Sequence, residues 1–164
     1  MAPERRPAAV IAAGLVFGLL SGIALGVLWW KLAPRVQIVV EPGAVTTDYD
    51  TGGFMAADVA FLLLAAVAGI AIAVGLARMR REHLLSVLVG ALAASAVGTV
   101  AMWFVGTRLG SVDIEGLQAT VEQVVVDAPL RVSAPAVYLA WPIASAVVVT
   151  VLALADWMRD SRRA

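Results

Sequence analysis

Four stretches of this 164-residue chain hold no Asp, Glu, Lys, Arg or His: Ala8–Trp30, Val59–Ala77, Leu84–Thr107 and Val132–Ala155. A helix crosses the roughly 30 Å hydrocarbon core of a bilayer in about 20 residues. Each stretch is close to that length or longer, and little chain is left between them. The sequence therefore predicts an all-α membrane protein, an up-down bundle of four transmembrane helices at about 8–30, 55–77, 84–107 and 135–157. Residues 1–164 read as one integral membrane domain with outer loops at 31–54 and 108–134. Only 15% of residues are charged and mean hydropathy is +0.92. A soluble domain carries nearer ~25% charge, so a water-soluble fold is excluded.

Net charge is zero, but its distribution is uneven. With the N-terminus cytoplasmic, the inner segments hold 8 basic residues and the outer segments 4. The tight turn around Arg78, Arg80 and Arg81 is the clearest point of that bias. Positive charge favours the cytoplasmic side, so both termini are expected there, in a plasma membrane. The first apolar run is about 23 residues, whereas a secretory h-region spans about 7–15, so an uncleaved anchor is expected. With no cysteine, the outer loops have no disulfide to hold them, and thiol chemistry is excluded.

Lipid tails are as apolar as leucine, so helices associate in membranes through rows of small residues that let backbones approach. Gly14, Gly18, Gly22 and Gly26 form such a row on the first helix. Ala65, Gly69, Ala73 and Ala77 offer one on the second, and Gly90, Ala94 and Gly98 one on the third, with Ser95 and Thr99 alongside. The glycine row seats either a partner helix or second copy, or one of the chain's own helices. Trp141-Pro142 predicts a kink near the outer third of the fourth helix, because proline removes a donor and crowds the preceding turn. Trp29, Trp30, Trp103 and Trp157 fall near span ends and read as interfacial anchors.

The outer loops carry their own patterns. Val36–Val40 is a β-branched run, Pro42-Gly43 a turn signal, and Ala44–Tyr49 a returning strand. Ile114, Leu117, Val121, Val124 and Val125 share one helical face within Asp113–Val126, which Asp113 caps and Pro129 ends. Leu130–Ala134 alternates like a half-buried strand. An interfacial helix on anionic lipid shows basic residues, whereas this one shows Asp113, Glu115 and Glu122. Its apolar face is therefore expected to cover a small sheet, giving a small extracytoplasmic α/β cap of two or three strands and one helix.

Leu28-Trp29-Trp30-Lys31-Leu32-Ala33-Pro34-Arg35, Asp127-Ala128-Pro129-Leu130 with Leu139-Ala140-Trp141-Pro142, and Ala57-Asp58 with Phe61 together resemble a family of small four-span actinobacterial membrane proteins grouped as a domain of unknown function. The resemblance implies an actinobacterial plasma-membrane protein. It implies no activity, cofactor or catalytic residue.

Groups able to do chemistry are few. Asp48-x-Asp50-x-Gly52 opens like a calcium loop, but the twelfth position is Val59 rather than a bidentate Glu. Asp48, Asp50 and Asp58 therefore read as an outer acidic cluster, and no metal or cofactor residue is predicted. His83, the only histidine, sits in the basic turn. Short topogenic basic clusters do not suggest nucleic-acid binding. Spans without ionisable residues argue against an ion pathway. The expected function is a non-enzymatic accessory or scaffold subunit of an envelope system, held in the lipid bilayer with a membrane-protein partner or as a homodimer through the first helix. The alternative is a lipid-handling or transport component with a lateral groove at the Pro142 bend.

Overall fold

The computed structural model describes residues 7–41, 44–47, 51–79, 84–120 and 123–162. The Pro42-Gly43 turn, Asp48, Asp50, Glu122 and His83 lie outside the described residues. Four long helices dominate: α1 (Pro7–Leu32), α2 (Thr51–Met79), α3 (Leu84–Leu109) and α5 (Ala140–Ser161). All four are long and apolar enough to cross a membrane, as a multi-pass protein requires. Between α1 and α2 lie β1 (Gln37–Glu41) and β2 (Ala44–Thr47), and between α3 and α5 lie α4 (Ile114–Thr120), β3 (Val124–Asp127) and a 3-10 turn, Pro135–Leu139.

The helices alternate in direction, but the tightest pairs are parallel and not adjacent in sequence. Along α1, a Cβ built on Gly14 would lie 2.8 Å from the Gly90 carbonyl oxygen, and one on Gly26 2.8 Å from that of Met102. Between them, Gly18 meets the backbone of Ala94 and Gly22 that of Gly98. Numbers rise together on both helices, so α1 and α3 run parallel with their backbones touching. The glycine row thus seats the chain's own third helix, the second of the two occupants the sequence allowed. Against α2, α5 packs in the same parallel sense: Gly69 faces the Trp141 carbonyl, the Ser145 hydroxyl donates to the Gly69 carbonyl at 3.2 Å, and Ala73, Ala77 and Val149 share a buried cluster.

Pro142 stands at the very start of the fourth long helix. It is the third residue of α5, directly after the 3-10 turn. The chain passes from 3-10 to α geometry two residues before it. Trp141 lies inside the bundle, fully buried, with the tip of its ring against Gly98 of α3.

At one end of the bundle sits a three-stranded sheet of order β2-β1-β3, antiparallel throughout, with Val40 opposite Val45 and Val39 opposite Val125. Ile38, Val40 and Ala128 form its buried face, and Ile114 and Leu117 of α4 pack on it with Phe54 of α2. The Asp113 side chain caps α4, accepting the Gly116 amide at 3.0 Å. So far the loops follow their patterns. The described helix runs over Ile114–Thr120, however, and Val124–Asp127 form a strand. Val124 and Val125 fit the helical spacing, but with Val126 they make a β-branched run that is stiff in a helix, and the edge of β1 offers it a ladder.

Leu130–Ala134 is not a strand. Its backbone is held point by point instead: the Leu130 amide donates to Gly110 at 2.9 Å, and those of Ser133 and Ala134 to Asp58.

Candidate functional site

Two features distinguish the cap end of the bundle: a buried polar clamp and a pair of open apolar grooves. The clamp centres on Asp58, near the start of α2 and only 5% exposed. One carboxylate oxygen accepts the Ser133 amide at 3.0 Å, and the other accepts Ser133 at 3.2 Å and Ala134 at 2.8 Å. Ala134 precedes the 3-10 turn and has no side chain able to cap it. Asp58, from another helix, instead binds the two amides just before the turn, fixing where the chain enters it. Asp58 therefore belongs with the bundle's framework rather than with a solvated acidic cluster.

Beside it, the Trp29 indole donates to the Ala57 carbonyl at 2.9 Å. Its ring packs edge-on against Phe61 at 5.0 Å, and Phe61 against Tyr138 at 5.8 Å. Trp29 is fully buried, so it is a core residue rather than an interfacial anchor. By contrast, Trp103 and Trp157 are exposed as expected of anchors, at 40% and 67%. Arg35 ties the β1 side of the cap down, donating to the Trp30 carbonyl at 3.0 Å and lying 3.9 Å from the Asp127 carboxylate. Replacing Trp29 with Phe keeps the aromatic stack and removes one buried hydrogen bond. The expected loss is about 1–2 kcal/mol, read from thermal unfolding in detergent.

The grooves flank α3 on its outward face. One, of about 480 Å³, lies between α3 and the start of α5 and is lined by Thr99, Val100, Trp103, Tyr138, Leu139 and Pro142. The other, of about 590 Å³, lies between α3 and α1, with Leu19, Ile23, Val100 and Phe104 in its walls. Ala96 and Val100 belong to both, so the grooves run side by side at one level. Tyr138 and Trp103 meet edge-to-face at 6.5 Å in the wall of the first. Ser21, Ser95, Thr107 and Thr150 each donate to a carbonyl of their own helix. Thr99 Oγ1 and the buried indole nitrogens of Trp30 and Trp141 have no partner among the described residues.

The singled-out residues thus separate. Gly14, Gly18, Gly22 and Gly26 hold α3, Pro142 borders a groove with Trp141 buried next to it, and Asp58 clamps the cap. Among the described residues no three His, Asp or Glu side chains gather as a metal site would require. Sequence reasoning missed the clamp and the Tyr138–Trp103 pair. The signal for the clamp was a lone carboxylate at the edge of an apolar run, where leaving it unpaired is costly. Compared with family models, curated proteins and solved structures, the chain finds no match.

Proposed function

We propose that this is a multi-pass plasma-membrane protein with cytoplasmic termini, acting as a non-enzymatic accessory or scaffold subunit that presents its cap to an envelope protein. The charge asymmetry between the two sides supports the orientation, and the motif resemblance supports an actinobacterial envelope. The observation that carries the reading is the Asp58 clamp, which joins α2 to the segment leading into α5 and so holds the cap in one orientation on the bundle. Since the first-helix glycines already seat α3, the partner is reached through the cap. A photocrosslinking residue at Val125, which is 57% exposed on β3, tests this in cells. The expected product is one discrete adduct with a second polypeptide. Recovery of the uncrosslinked chain alone, or turnover of an envelope substrate by the purified protein, would contradict it.

A second reading is lipid handling. The groove bordered by Pro142 favours it, since an apolar trough opening sideways from the bundle suits an acyl chain.

A further inference from the structure

We propose that the outward face of α3 binds one anionic lipid with two acyl chains, one chain in each groove and the headgroup at Arg108. The assignment rests on the membrane placement and deepens the lipid-handling reading above. Three observations converge on it. First, the grooves are paired: they share Ala96 and Val100, both exposed, with Val100 the larger of the two and 62% exposed. At about 480 and 590 Å³ each falls within the ~300–1,000 Å³ of small-molecule sites. Their walls are almost wholly hydrocarbon, so an occupant must be too. A single-chained amphiphile fills one and leaves the other open.

Second, a cation stands above them. Arg108, in the last turn of α3, is exposed, and its guanidinium lies 5.1 Å from the ring centroid of Phe104, a wall residue of the second groove. Among the described residues no carboxylate pairs with it; the two ion pairs found are Arg35–Asp127 and Arg159–Asp156. An arginine free of carboxylates is available to a phosphate.

Third, the depth fits. Ala96 lies 12 residues before Arg108, which is about 18 Å along a helix rising ~1.5 Å per residue. One leaflet is half of a hydrocarbon core roughly 30 Å thick. A headgroup at Arg108 therefore sets its chain ends near the level of Ala96. Trp103 and Tyr138 then sit where amphipathic aromatic rings collect, between headgroup and chains.

Native mass spectrometry of the full chain in detergent tests the site with three probes: dioleoylphosphatidylglycerol, dioleoylphosphatidylcholine, and single-chained oleoyl lysophosphatidylglycerol. The native protein should keep one phosphatidylglycerol at activation energies that strip the other two. Arg108→Gln should lower the preference for phosphatidylglycerol over phosphatidylcholine about fivefold, the factor corresponding to the ~1 kcal/mol of one cation near an anionic surface. Leu139→Trp and Ile23→Trp each fill one groove from an exposed position. Either should abolish the advantage of two chains over one. Val100→Glu, at a residue lining both grooves, is a second disabling variant should either tryptophan reduce helicity by circular dichroism. Equal retention of the three lipids, or preferences unchanged in Arg108→Gln and in the groove variants, would overturn the site. A chain that stayed soluble without detergent would instead defeat the membrane placement.

Discussion

Asp58→Ala is expected to lower the melting temperature by roughly 6–12 °C. The substitution strips the acceptor from two backbone amides, Ser133 and Ala134, in a site where Asp58 itself is 5% exposed. The bonds are part-buried and Ser133 and Ala134 are themselves exposed, so each lost acceptor costs toward the lower part of the usual ~1–3 kcal/mol, about 3 kcal/mol for the pair. For a chain of about 150–250 residues each kcal/mol corresponds to about 2–4 °C. Asp58→Asn keeps one carbonyl acceptor and the side-chain volume, so about half the loss is expected. Tryptophan fluorescence during thermal unfolding in detergent reads both, because Trp29 lies beside the clamp. A melting temperature unchanged in Asp58→Ala would mean that the clamp does not hold the cap to the bundle.

The larger effect is expected in the glycine row. A Cβ on Gly18 or Gly22 would overlap the carbonyl groups of Ala94 or Gly98, and backbone on both sides leaves nothing free to rotate away. Overpacking a well-fitted core costs about 1–3 kcal/mol per site and occasionally more. Gly18→Ile with Gly22→Ile pushes α1 off α3 over two turns and should abolish the folded state. Gel filtration would then show aggregate, and circular dichroism a loss of cooperative melting. Gly75 is the control: it lies on an exposed part of α2 with nothing within 4 Å of a built Cβ. Gly75→Ala should be neutral or stabilise the helix by up to about 1 kcal/mol in propensity. If the double variant folds normally and loses only a crosslinked dimer, the glycines serve a contact between chains instead.

Much of this architecture is written in local pattern. An uncharged run of about 20 residues has one economical solution in lipid, so the four long helices are readable directly, as are β1 and β2. The glycine row is equally visible, but its occupant is not. A smooth groove accepts any helix of matching small residues, and only the three-dimensional arrangement shows that Ala94 and Gly98 fill it. Val124 and Val125 satisfy a helical and a strand pattern at once, and the free edge of β1, far away in sequence, decides between them. Trp29 reads as an anchor by its position at a span end, yet Ala57 and Phe61 from α2 enclose it. Asp58 shows most clearly where local pattern stops. Its neighbours in sequence group it with Asp48 and Asp50, while its partners lie 75 and 76 residues away. The grooves are the least legible feature, since they are space left between helices rather than a property of any one.

The proposed membrane-embedded bundle, with its cap outside the cell, can be tested by cysteine labelling, because the chain has no cysteine of its own. Val125→Cys places a single thiol on the exposed face of the cap sheet, and Ser161→Cys places one at the opposite end of the bundle. Intact cells are treated with a membrane-impermeant maleimide, before and after permeabilisation. The cysteine at 125 should label in intact cells, and the one at 161 only once the membrane is opened. Labelling of 161 in intact cells with 125 protected would contradict the orientation, and equal labelling of both without permeabilisation would contradict the four-span bundle itself.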